Sequence, residues 1–440
     1  MEKSNIRYST YIRILKEELV PAMGCTEPIA IAYCAARTRD LLGGLPDSCV
    51  VEASGNIIKN VKSVVVPNAD GLRGIEAAAA AGIVAGDASR VLEVISQVTV
   101  EQKQEIRRFL SQVPVTVRPA ENAELLDIRV TLTRGEDMAR VRIAGYHTNI
   151  VCMEKNGEIL YQRGVEAAPG AEAANHNLLD VEDIIDFADS VDPEDLGDVI
   201  ERQIRCNMAI AEEGITHDWG ANVGKVILKT YGNDVKHRAR AMAAAGSDAR
   251  MSGCEMPVII NSGSGNQGMT ASIPVIVYAR ELGVSHETMI RALVVSNLIT
   301  IHQKTGIGRL SAYCGAISAG CGAGCGIAYL QGGRYREIAH TLVNALATVS
   351  GIVCDGAKPS CAAKIAAAVE AGILGYHMFL EGQQFRGGDG LISKGVENTI
   401  RNIGRLGSKG MRETDREIIR MMTDGSCDRV SDSCPPPVCR

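Results

Sequence analysis

In PAMGCTEPIAIAY, residues 21–33, a single cysteine stands between a glycine and the start of a helix. Glu27-Pro28 suits a first helical turn, because proline there gives up no intrahelical hydrogen bond, and Ile29 to Ala32 continue the helix. Cys25 is thereby placed just ahead of the positive end of a helix dipole, where a thiolate is favoured and the sulfur becomes a usable base or nucleophile. Two later stretches, AYCGAISAGCGAGCG and GIVCDGAKPSCAAK, gather five more thiols. Cys354 and Cys361 are separated by the six residues DGAKPS, a Gly- and Pro-containing loop that can fold both sulfurs onto one centre. Cys361 opens a helix, so its amides and dipole favour a negative sulfur cluster. A third ligand would come from Cys314, Cys321 or Cys325. The spacing is neither the four-cysteine ferredoxin run nor a paired zinc ribbon. The competing reading is small buried thiols in a Gly/Ala helix interface.

NSGSGNQGMTAS, from Asn261, is a polar island in apolar surroundings. Its glycines leave backbone N–H groups accessible, and Ser262, Ser264, Asn266 and Gln267 add neutral donors, a combination suited to a carboxylate. It lacks the Gly-Lys-Ser/Thr ending of a P-loop, which disfavours nucleotide binding. His302 and Lys304 precede Cys314 closely enough to position a substrate or tune a cluster, although helix-end solvation explains them as well. Lys358 in the cysteine loop reads as a solvated loop lysine.

These groups need elements to hold them. The chain has 440 residues, 46% hydrophobic and 22% charged, as in a soluble globular protein with a sizeable core. A net charge of -6 gives no basic footprint for nucleic acid. Fourteen cysteines without a visible signal peptide point to a cytoplasmic chain whose thiols serve metal ligation or thiol chemistry rather than disulfides. Cys34, Cys49, Cys152, Cys206 and Cys254 read as buried packing. The expected fold is α+β: a mostly α-helical catalytic domain with a smaller inserted α+β domain. Residues 1–48 are expected to be N-terminal helices packing on the catalytic domain. Residues 49–170 would form the α+β insertion, 171–426 the helical domain and 427–440 a flexible tail. VVEASGNIIKNVKSVVVP reads as β-branched runs around an SGN turn, and Asn156-Gly157 as a hairpin turn. Three uncharged stretches, 256–279, 310–333 and 338–354, read as buried elements rather than membrane spans, because polar or Gly-rich breaks interrupt them.

GCTEP, NSGSGNQG, SAYCGAISAGCGAGCG and GIVCDGAKPSC, in this order, together resemble the L-cysteine desulfidase family, related to the alpha part of iron–sulfur L-serine dehydratases. The resemblance runs over nearly the whole chain. It implies a [4Fe–4S] cluster on three cysteines spaced C-x39-C-x6-C, which Cys314, Cys354 and Cys361 match, leaving Cys321 and Cys325 as spectators. It also implies that Cys25 is the proton acceptor. The expected activity is a pyridoxal-independent α,β-elimination of L-cysteine to sulfide and 2-aminoacrylate, giving pyruvate and ammonia. Three ligands leave one iron open to the substrate as a Lewis acid.

L-Serine dehydration by the same mechanism is the near rival, and a non-catalytic iron–sulfur redox or regulatory protein the rival of another class. The expected partner is a small amino acid, with neither nucleic acid nor membrane, and a homodimer left open. Cys434 and Cys439 flank three prolines near the end, and Arg440 follows, which weakens comparison with dehydratases whose terminal cysteine caps the open iron.

Overall fold

A computed structural model describes residues 1–121, 124–165 and 174–423. The tail with Cys434 and Cys439 lies outside the described residues, as do residues 166–173 of the expected linker. The fold is mostly helical α+β, with one mixed sheet and a bundle of long helices.

The sheet grows from alternating patterns. In Ser48–Ala53, Cys49, Val51 and Ala53 are buried and their neighbours are half-exposed, as a strand with one face on a core requires. The sheet runs in the order Val115–Pro119, Ser48–Ala53, Asp127–Arg134, Asp137–Ala144, Ile150–Lys155, Glu158–Gln162. Its first pair is parallel and the rest are antiparallel. Asn156 and Gly157 both take positive φ, the geometry of a tight hairpin turn. The SGN segment differs from expectation. After Ser48–Ala53 the chain turns at Ser54 into a helix, Gly55–Val61, and no second strand follows. Burial of Ile57, Lys59 and Asn60 on this short helix outweighs the β preference of its branched residues.

The two N-terminal helices part company. Ile6–Glu18 lies on the helical part, with Tyr8 and Tyr11 edge-on to Phe187 at 5.3 and 5.4 Å. Thr26–Leu42 instead lies across Asp127–Arg134 and Asp137–Ala144 and against the helix Gly74–Ala85. Between them Pro21–Met23 pairs antiparallel with Pro257–Ile259 of the helical part. Cys25 therefore sits where the chain crosses from one region to the other.

In the helical part, Gly315–Leu330 is the central helix and is buried from Ala316 onward. It packs against Gly265–Leu282, His286–Ile307, Tyr335–Val349 and Cys361–Leu380. The last contact is backbone to backbone: a Cβ on Gly372 would lie 2.2 Å from the carbonyl oxygen of Gly320. Cys361–Leu380 is also the described helix long and apolar enough to cross a membrane; half of its apolar window is buried here against the bundle.

Candidate active site

The cysteine loops are brought together by backbone pairing. Tyr313 and Val353 form an antiparallel bridge, Cys314 N–H donates to the Ile352 carbonyl at 3.2 Å, and Cys354 N–H donates to Ala312 at 2.7 Å. Residues flanking such a pair point to the face opposite to it, so Cys314 and Cys354 share one face as diagonal neighbours. Cys361 begins the next helix. Burial, then the neighbouring Cys354 sulfur, pushes Cys314 up to about 12, and the same two causes raise Cys361. Cys321 and Cys325 lie deeper in the central helix, fully buried.

One cavity of about 100 Å³ is lined by Cys25, Cys314, Cys354 and Cys361. Ser262, Ser264, Asn266 and Gln267 line the same cavity. It collects helix N-termini: Cys25, Ser264 and Cys314 stand at N-cap positions without capping through their own side chains, and Cys361 starts a fourth helix. Lys59, Arg250, Lys304 and Lys364 add positive charge. Unpaired N–H dipoles and cations around one small space make an anion site. Buried polar atoms without partners face it too: Asn56 Oδ1, Asn60 Oδ1, His147 Nε2, Gln267 Oε1 and Tyr313 Oη. Such atoms are costly to bury unsatisfied, so they mark a place built for a polar ligand.

Among the described residues no group of three or more His, Cys, Asp or Glu side chains could hold a single metal ion. The donor set, three thiols beside helix N-termini and lysines, fits a negative cluster in which each sulfur takes its own metal.

Cys25 departs from the sequence expectation. Its Sγ lies 3.7 Å from Glu27 Oε2 and donates to it. Burial pushes the thiol well up; Arg250 works against this, and Glu27 adds to it. Desolvation thus outweighs the helix dipole and disfavours the Cys25 thiolate, while its neighbours favour Glu27 as a carboxylate. Glu27 is itself pushed up by burial, but His147, its own backbone amide and the Thr26 hydroxyl bring it down to about 2. Thr26 Oγ1 donates to Oε2 at 3.0 Å and Asn60 Nδ2 to Oε1 at 2.9 Å. His147 Nε2 stands 4.0 Å from Oε1, an ion-pair distance but beyond a hydrogen bond.

The polar island is tied to Cys25 from two sides. Thr26 Oγ1 also lies 3.0 Å from the Gly263 carbonyl, which competes with Glu27 for its one hydroxyl proton; Arg250 donates to the Gly24 carbonyl and to Asn266 Oδ1, each at 3.0 Å. Lys304 is buried on the cavity and has no hydrogen-bond or ion-pair partner among the described residues; burial lowers it to about 8. His302 instead pairs with Glu397 at 2.7 Å, and Lys358 with Asp355 at 3.0 Å, neither on the cavity. The sequence reading missed Glu27, Asn60, His147, Arg250 and Lys59. Glu27 lies inside the motif that singled out Cys25, so its nearness was the one available signal; the others arrive from distant elements.

A model of the serine dehydratase alpha chain matches residues 89–420. That span contains Cys314, Cys354 and Cys361, and begins after Cys25. The chain is 64% identical to a UPF0597 protein of Desulfitobacterium hafniense over 96% of this chain and 98% of that one. It is 51% identical to a UPF0597 protein of Lachnoclostridium phytofermentans (94% and 99% covered). It is 46% identical to one of Treponema denticola (96% and 99%).

Proposed function

The chain belongs to the serine dehydratase alpha chain family, and from that premise we propose that it is a lyase eliminating the β-substituent of a small L-amino acid, with L-cysteine as substrate. The observation that carries this reading is the one cavity lined by Cys25 together with Cys314, Cys354 and Cys361. Cys314, Cys354 and Cys361 would hold a [4Fe–4S] cluster, which when bound supplies an open iron as Lewis acid to the substrate.

The chain's own residues do the rest. The N-terminus of Gly265–Leu282, with Ser262, Ser264, Asn266 and Gln267, receives the substrate carboxylate, and Lys304 offers a buried positive charge beside it. Cys25, once rid of its thiol proton, takes the Cα proton of the substrate. The C–H electrons form the C=C bond of 2-aminoacrylate and the C–S electrons leave with sulfide. The enamine then tautomerises and hydrolyses to pyruvate and ammonia. An oxygen-sensitive thiol site of this kind suits a reducing, cytoplasmic setting.

L-Serine is the second reading, favoured by the family match, and needs the same steps with hydroxide as the leaving group. Comparing kcat/KM for the two amino acids separates them. Cys25→Ala tests the mechanism. In anaerobically prepared protein it should keep the cluster absorbance and lose about 10²–10⁴ in pyruvate release, the usual worth of a general base. Full activity in that variant removes Cys25 from the reaction; a coloured wild type inert to both amino acids sinks the lyase reading.

A further inference from the structure

A base that takes a proton every turnover must also lose it, and Cys25 is buried. We propose that Glu27 and His147 form a proton relay from Cys25 to a second, outer cavity. This rests on the elimination reading above. The inner cavity meets a larger one of about 580 Å³, and His147, Gly263 and Arg309 line both. Glu27 stands between the thiol and the imidazole with a different oxygen toward each: Oε2 to Cys25 Sγ at 3.7 Å, Oε1 to His147 Nε2 at 4.0 Å. Thr26 and Asn60 set the carboxylate's resting orientation. His147 Nε2 is buried without a hydrogen-bond partner, so the nitrogen nearest Glu27 is uncommitted.

The proton balance closes. Cys25 thiolate takes the Cα proton and becomes a thiol; the thiol proton passes to Glu27 Oε2. The carboxyl group turns about its Cγ–Cδ bond so that this proton faces His147 and passes to Nε2, and His147 releases the proton of its other ring nitrogen into the outer cavity. The net products are 2-aminoacrylate, hydrosulfide and one proton. Other charged or titratable groups surround the path: Arg250 and Cys361 beside Cys25; Lys59, Lys304 and Lys364 on the inner cavity; Arg309 where the two cavities meet; and Glu17, Glu18, Arg90, Glu93 and His176 on the outer one. Glu27 and His147 act through Cys25, so they are positioning and relay groups.

Two measurements test this on the full chain. The first needs no cluster or substrate: alkylation of Cys25 by iodoacetamide, followed by mass spectrometry of its peptide. Glu27→Gln removes the negative charge beside the thiol, which should speed alkylation at neutral pH about ten-fold, one pKa unit. The second uses cluster-loaded protein. His147→Ala should slow steady-state pyruvate release about ten-fold or more, and added imidazole should restore it, which a merely structural loss would not allow. His147→Asn serves if the alanine variant fails to fold. Unchanged Cys25 alkylation in Glu27→Gln, or folded His147 variants with wild-type rates or no imidazole rescue, overturns the relay. Alkylation that depends on Glu27 in a protein that turns over neither amino acid supports the thiol–carboxylate coupling while the lyase reading falls.

Discussion

The two regions that meet at the cavity are built in opposite ways. The helical wall is apolar and close-packed, with glycine backbones touching between Gly315–Leu330 and Cys361–Leu380, and it presents sulfurs and helix N-termini. The wall on the sheet side is polar inside. Thr26–Leu42 brings Cys25 and Glu27, Gly55–Val61 brings Asn56, Lys59 and Asn60, and the segment after Asp137–Ala144 brings His147. Rigid packing suits a metal-holding face, whose ligands must not move. A hydrogen-bonded face of titratable groups suits proton handling. On the proposed reading the division of structure is also a division of chemistry; the family match from residue 89 covers His147, Cys314, Cys354 and Cys361 but not Cys25 or Glu27.

The sharpest way to break this comparison is to remove one group from each face. Cys354→Ala should abolish both cluster absorbance and turnover, whereas Cys25→Ala should abolish turnover alone. Absorbance and pyruvate assays on the same anaerobic samples decide it. If Cys25→Ala also bleached the protein, the faces would share the metal and the division would fail.

The next effect is on stability. Lys59 is buried on the cavity and its ammonium meets Asp415 of the C-terminal helix Arg412–Thr423 at 2.5 Å. Asp415→Ala leaves that charge unpaired, which should cost about 3–5 kcal/mol in chemical denaturation. Combining Lys59→Met with Asp415→Leu should return most of the loss, since an apolar pair replaces a buried ion pair at little cost. The helical wall has no counterpart of this sensitivity at Gly315–Leu330, which is Ala, Gly, Ile and Cys along most of its length.

Acid titration sharpens the contrast, because a carboxylate on each side shifts in the opposite sense. Glu27 is brought from 4.5 to about 2, so its contribution is full above about 4.5 and is lost as pH falls toward 2. Asp248, in the helix Val235–Met251, is raised by burial from 3.8 to about 6. The folded state therefore favours its neutral form, and stability falls as pH rises from 3.8 through 6. Glu27→Gln should flatten the acid limb of a stability–pH curve, and Asp248→Asn the limb between 3.8 and 6. Urea midpoints from about pH 2 to above 6 would show whether each substitution acts on its own limb.

Local signals carried much of the fold. Helical spacing and the Asn156-Gly157 turn depend on neighbours in sequence, and both appear where the pattern puts them. The helix Gly55–Val61 did not, because its β-branched residues favour a strand until the buried Lys59–Asp415 pair and the core choose otherwise. The site divides in the same manner. Cys25 could be found from a helix start, but the upward shift of its thiol follows from burial and from Glu27, and burial is a tertiary property. His147 and Arg250 carry no spacing signal at all; only the pairing of Pro21–Met23 with Pro257–Ile259, and the loop after Asp137–Ala144, bring them to Cys25.

The smallest expected effect concerns two residues that looked alike in sequence. His302 and Lys304 lie two apart on His286–Ile307, and residues at that separation do not face the same side of a helix. Lys304 faces the cavity, while His302 turns away to Glu397. His302→Ala should therefore leave kcat and KM within about two-fold and cost at most about 1 kcal/mol, the range of a partly exposed ion pair. Lys304→Met, by contrast, should raise KM for L-cysteine with a smaller change in kcat, because it removes a charge that meets the substrate before reaction. Equal kinetic losses in the two variants would mean that this helix reaches the site as a whole, and that nearness to Cys314 in sequence, rather than the face presented, sets a residue's importance.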